Sequence, residues 1–108
     1  MSQDSEKEVY TVVQDMPVFP GGDDALRNFI EENLQPPAEA TEKRIHGAAI
    51  VSFIVRHDGK LDDIKPVSML GGGLEEEAVR IVRAMPNWEP GRHQGNAVDV
   101  EFRLPIWF

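Results

Sequence analysis

The chain has no cysteine, and that absence removes disulfides, thiolate metal sites and cysteine nucleophiles together. It leaves the compartment open, because many exported domains manage without disulfides. Long hydrophobic runs are lacking too. The longest, Ala48–Val55, is interrupted by Ser52 and falls far short of the roughly 20 apolar residues that span a bilayer. The opening Met1–Glu8 is polar and acidic, unlike a signal peptide, so the chain as it stands is expected to be soluble. Cations are scarce: Lys and Arg number 11 against 19 Asp and Glu, a net charge of −8. That sign argues against nucleic acid and anionic lipid, which both require clustered cations. What remains, in 108 residues, is room for one domain with one modest core.

The patterning predicts an α+β fold in the order β-α-α-β-β-α-β, a small antiparallel sheet with helices packed on one side. Residues 1–15 read as a tail, flexible over Met1–Lys7, with a possible strand at Glu8–Val13; residues 16–108 read as the domain proper. Met16–Gly22 is a stiff turn with two prolines and two glycines. In the next helix Leu26, Phe29, Ile30 and Leu34 form one apolar stripe, and Pro36-Pro37 ends it. A short helix over Ala38–Arg44 follows, with Pro37 at its start, where a missing N–H costs little. In Ala48–Arg56 both alternating faces are mostly apolar, which predicts a central strand covered on both sides. His57-Asp58-Gly59-Lys60 is a hairpin turn, because Asp-Gly tolerates positive φ. The return strand, Leu61–Leu70, contains Pro66 and therefore belongs at an edge or bulges there. Leu74, Ala78, Ile81, Val82 and Met85 are the buried stripe of a helix that begins with Glu75, Glu76 and Glu77 and carries Arg80 and Arg83 near its end, in keeping with the macrodipole. After Trp88-Glu89-Pro90-Gly91 and a polar loop at Arg92–Asn96 comes a last strand, Ala97–Leu104, whose Val98, Val100, Phe102 and Leu104 alternate with Asp99, Glu101 and Arg103.

Little in this inventory looks catalytic. His46, His57 and His93 show no helical ligand spacing, which leaves them as surface histidines rather than a metal site. Ser52 lies in no nucleophile elbow. Gly21-Gly22 and Gly71–Gly73 match no phosphate loop and precede acidic residues, so they are turns. A hydrolase built on Asp62 and Asp63 is disfavoured because neighbours on a strand point to opposite faces. Trp88 suits a lid on the core, with surface recognition as the alternative. Trp107 and Phe108 either dock on the core or present a sticky edge. The last strand carries more meaning. If Ala48–Arg56 is central and Leu61–Leu70 flanks it, the final strand lies on the other side and can be an open edge. Such edges are covered, blunted by charge or used to capture an extended peptide. Asp99, Glu101 and Arg103 are compatible with blunting.

Taken together, Pro17-Val18-Phe19-Pro20-Gly21-Gly22, the strand that runs from Gly47 into Val55-Arg56-His57-Asp58-Gly59-Lys60-Leu61, the helix Leu74–Met85 and Trp88-Glu89-Pro90-Gly91 resemble the TonB C-terminal domain, in the variant with an N-terminal P-x-F-P-G-G segment. The resemblance implies a fold shared with TolA-like domains and a place in the periplasm of a Gram-negative envelope. It further implies an inner-membrane anchor and a spacer outside this chain, a proton-motive-force-driven motor complex reached through them, and binding of the TonB box of an outer-membrane receptor by strand addition. The contact edge then maps onto Val98, Asp99, Val100, Glu101, Phe102 and Arg103, with Arg92 and Gln94 nearby, and a proline at Val100 is expected to abolish binding. No catalysis, cofactor or metal is implied, and pairing of two copies through the same edge is possible. The family often has Tyr-Pro where this chain has Pro36-Pro37, so any role of that tyrosine is missing here. The alternative is the same domain appended to a membrane-bound sensor or peptidase, where it would read an envelope ligand.

Overall fold

The computed structural model describes residues 8–108, and the tail expected over Met1–Lys7 lies outside them. The architecture is α+β: β1 (Val9–Tyr10), α1 (Asp23–Asn33), α2 (Ala38–Lys43), β2 (Ala48–Val55), β3 (Leu61–Pro66), α3 (Leu74–Arg83), β4 (Gly91–His93) and β5 (Asn96–Trp107). The expected order is present, with β4 added where the sequence predicts a polar loop. The strands lie in the order β1-β5-β2-β3, and β4 pairs with the start of β5. The sheet is mixed rather than wholly antiparallel, because β1 runs parallel to β5, Val9 opposite Asp99 and Tyr10 opposite Val100. A tight hairpin would force antiparallel pairing, but β1 reaches β5 only through the rest of the chain, so no turn constrains its direction.

The core forms between the sheet and its three helices. Ala49, Val51, Phe53 and Val55 of β2 are wholly buried, as a central strand requires, and Leu104 and Ile106 of β5 lie beside them. The entire predicted stripe, Leu74, Ala78, Ile81 and Val82 of α3 with Met85 just past its end, is buried. An aromatic cluster closes one end, where Trp88 sits 5.8 Å from Phe19, 5.3 Å from Phe53 and 5.3 Å from Phe102 between ring centroids. Trp88 is therefore the core lid and not a surface anchor. The second face of β2 departs from expectation. Ile50 and Ile54 are only half-buried, and their cross-strand neighbours are Pro105 for Ile50 and Glu101 and Asp62 for Ile54. All three helices occupy the other side, so β2 is central in the sheet but not sandwiched.

Met16–Gly22 forms a strap across this end. Asp15 pairs with Arg92 and Val18 with Glu89 through reciprocal backbone hydrogen bonds of 2.8–3.2 Å, and Phe19 drops into the core. The turn at Gly59 is held as tightly. Its φ is +90°, and a Cβ there would meet the Trp88 carbonyl oxygen at 2.3 Å, so only glycine suits the position.

Candidate functional site

The backbone of β5 has two sides with different fates. Gly47 and Phe108 exchange both hydrogen bonds, and the register then runs Ala49 with Ile106, Val51 with Leu104, Phe53 with Phe102 and Val55 with Val100. Antiparallel ladders alternate hydrogen-bonded and non-bonded pairs, so each of these β5 residues aims its N–H and C=O inward at β2. The intervening residues Arg103, Pro105 and Trp107 aim theirs outward. Ile50, opposite Pro105, confirms the phase: its carbonyl accepts from Val67 and its N–H donates to Ser68 Oγ, both on the β3 side. Pro105 therefore sits where its missing N–H breaks no internal bond, as a strand proline should.

What covers the outer side changes along the strand. β4, which pairs with Asn96–Val98, continues the line of β2 on the inner side, because Val98 shares the phase of Val100; on the outer side Asp99 and Val100 pair with β1. Glu101 flanks the position of Tyr10 and marks the boundary. Among the described residues no strand pairs with the outer side from Phe102 to Trp107. The outward N–H groups of Arg103 and Trp107, and the carbonyls of Arg103, Pro105 and Trp107, face away from the sheet. Beside Glu101, Phe102 and Arg103, where the chain leaves the edge at Thr11, lies a hollow of about 270 Å³ also lined by Met16.

The opposite edge is unlike this one. Outer strand β3 carries Asp62, Asp63, Lys65 and Pro66, its register shifts between Ser52 and Ile54 of β2, and Asp63 has a φ of 51°. Charge, proline and a bulge are the usual means of blunting an edge. Asp62 and Asp63 are also engaged in ion pairs, with Arg56 at 2.7 Å and Lys65 at 3.4 Å.

The residues singled out from sequence thus divide. Phe102 and Arg103 lie on the open stretch, with Glu101 at its margin. Val98 pairs with Gly91. Val100 is fully buried and directs its backbone at Val55, so a proline there would damage the core ladder rather than probe the edge. Asp99 is 8% exposed and its carboxylate accepts the His57 N–H at 2.7 Å and an Arg56 N–H at 3.1 Å, with His57 Nδ1 at 3.2 Å. Burial alone would raise its pKa, but those hydrogen bonds and the Arg56 charge outweigh it and hold the group below its ordinary value. Arg92 uses both its backbone N–H and C=O on Asp15 and lies opposite Ala97, and the Gln94 N–H donates to Gln14 Oε1 at 2.9 Å. Both belong to the hairpin at the far end of β5. The strand runs three residues past the Leu104 that the sequence pattern predicts as its end, so Pro105–Trp107 join the edge; the signal for them is Pro105, a proline of the kind edge strands tolerate.

Comparison with family models matches residues 32–108 to the Gram-negative bacterial TonB protein C-terminal family. No curated protein and no solved structure matches the chain. The matched span begins inside α1 and takes in α2, α3 and every strand except β1; the strap lies ahead of it. This family comprises interaction and energy-transduction domains of the periplasm that engage outer-membrane proteins. A match over most of the chain, on a fold of the expected α+β kind, establishes that the chain belongs to the TonB C-terminal domain family.

Proposed function

We propose that this domain binds an extended segment of an outer-membrane receptor, the TonB box, by adding it as a strand along Phe102–Trp107 of β5. The observation that carries the reading is the contrast between edges: β3 is blunted by charge, proline and a bulge, whereas β5 offers outward N–H and C=O groups with no partner among the described residues. Main-chain pairing supplies the affinity in this mode of recognition, and alternate side chains supply selectivity. An anchor in the inner membrane and a motor complex reached through chain outside this sequence would then couple the proton motive force to opening of the receptor for active uptake.

The test is an NMR titration of the labelled domain with TonB-box peptides from receptors of the same organism, run beside the variant Arg103→Pro. Arg103 is exposed, and its backbone does not bond to β2, so the variant is expected to fold while losing one of the two outward donors. Shifts along Phe102–Trp107 that disappear in Arg103→Pro are the expected result. A folded Arg103→Pro domain that binds as well as the parent would remove this edge as the site. Binding by none of the peptides would favour instead an envelope-ligand role on a membrane-bound sensor or peptidase.

A further inference from the structure

Val9, Tyr10, Thr11, Val12 and Val13 all favour extended structure, yet β1 stops after Tyr10. The chain leaves the outer side of β5 at Thr11 and crosses to β4, where Asp15 and Arg92 exchange backbone hydrogen bonds of 3.2 and 2.8 Å. Two residues of the departing segment have opposite fates: Val13 is buried, whereas Val12 is 79% exposed. Neither makes a backbone–backbone hydrogen bond among the described residues. Between the segment and the edge lies the hollow lined by Thr11, Met16, Glu101, Phe102 and Arg103.

We propose that Val9–Val13 is an internal competitor for the β5 edge: in a second arrangement β1 runs on to Val13 and closes the edge from Glu101 to Arg103. The register is already set. Val9 opposite Asp99 and Tyr10 opposite Val100 continue as Thr11 opposite Glu101, Val12 opposite Phe102 and Val13 opposite Arg103. In a parallel pair, a residue whose opposite number aims away from it bonds to that residue's two neighbours. Phe102 aims inward, so Val12 would donate its N–H to the Glu101 carbonyl and accept from the Arg103 N–H, both of which aim outward. Val12 would then leave solvent and lie over the hollow beside Phe102. The contacts that oppose closure are few. About 20 Å of extended strand separates Arg103 from Ala97, and Ala97 lies opposite Arg92, so a chain paired through Val13 cannot keep Asp15 on Arg92. Closure therefore gives up that pair, the burial of Val13 and the Gln94 N–H bond to Gln14, and gains ladder bonds and cover for Val12. Its effect on binding rests on strand addition at β5 as read above; the closure itself does not.

Val13→Ser tests this, because it removes burial that favours the open edge and leaves every closing bond available. Native-state amide exchange reads the closure without a ligand: in Val13→Ser the Arg103 N–H is expected to gain protection while the Asp15 N–H loses it. The TonB-box peptide that binds the parent is expected to bind Val13→Ser at least about threefold more weakly, in proportion to the fraction of open edge. Val12→Pro removes an N–H that only the closed arrangement uses. Added to Val13→Ser, it should restore rapid exchange at Arg103 and return the affinity to within about twofold of the parent. Asp15→Pro removes a strap bond at an exposed position and leaves Val13 in place; it is expected to act in the same direction and serves if the serine variant does not fold. An Arg103 amide that exchanges as fast in the folded variants as in the parent would overturn the proposal. So would a loss of affinity that Val12→Pro fails to restore. Protection at Arg103 in Val13→Ser, with no peptide bound by the parent, would overturn strand addition and leave the closure standing.

Discussion

Asp99 occupies a position that strand alternation assigns to solvent, yet its carboxylate is buried and binds the start of the β2–β3 turn to β5 through His57 and Arg56. Two other acids act similarly. Glu75 is opposed by burial, but N–H groups of Leu70 and Gly71 and the Ser68 hydroxyl lower its pKa; Glu77 is lowered first by Arg80 and then by the Gln35 N–H, against burial. A carboxylate whose folded-state pKa lies below its unfolded value contributes stability that is complete above the unfolded value and is lost as pH falls through the folded one. Stability is therefore expected to be flat from about pH 6 to 8 and to decline as pH falls below the ordinary values of 4.5 for Glu and 3.8 for Asp. Urea denaturation across pH checks this, and Asp99→Asn should lower stability at neutral pH by about 1–3 kcal/mol while flattening the acid limb. A second prediction concerns Gly59. Its positive φ and the close Trp88 carbonyl make Gly59→Ala destabilising by about 2–3 kcal/mol, read in the same denaturation experiment.

At the scale of elements, the strap of Met16–Gly22 depends on Phe19. Phe19→Ala should cost about 3 kcal/mol and raise amide exchange at Asp15 and Val18, whose N–H groups bond to Arg92 and Glu89, before exchange rises in β2. Unchanged protection at those two amides would detach the strap from its aromatic anchor. The elements that sequence revealed are those with a strong internal period or a residue of fixed conformational habit. The α3 stripe, the core face of β2, the Asp-Gly turn and Pro66 at an edge are of this kind. The rest depended on partners distant in the chain. β4 has three residues, too few to show alternation, and β1 has two where the sequence predicts a strand over Glu8–Val13. The end of β5 is ambiguous in sequence because Pro105 suits either a stop or an edge strand, and only the register with β2 shows that its nitrogen faces outward. The acceptor role of Asp99 was invisible for a like reason: nothing in the order Val98-Asp99-Val100 announces His57 and Arg56.

At the scale of the whole molecule the dominant facts are one open edge among the described residues and an excess of negative charge. Two copies that paired through β5 would bring together molecules of net charge −8 each, so self-association is expected to be disfavoured at low ionic strength and to strengthen as salt screens the repulsion. Sedimentation velocity over a salt series checks this; a dimer that dissociates on adding salt would contradict it. The strap also has a consequence under tension. β1, Asp15 and Val18 hold the N-terminal segment to the body by a few hydrogen bonds near one end of the domain, whereas eight residue pairs join β2 to β5. A pull applied to the chain ahead of Val9 loads the few bonds first. When they part and Phe19 is drawn out of the core, the stretch from Val9 to Gly22, about 45–50 Å long when extended, is released while the β2–β5 ladder stays paired.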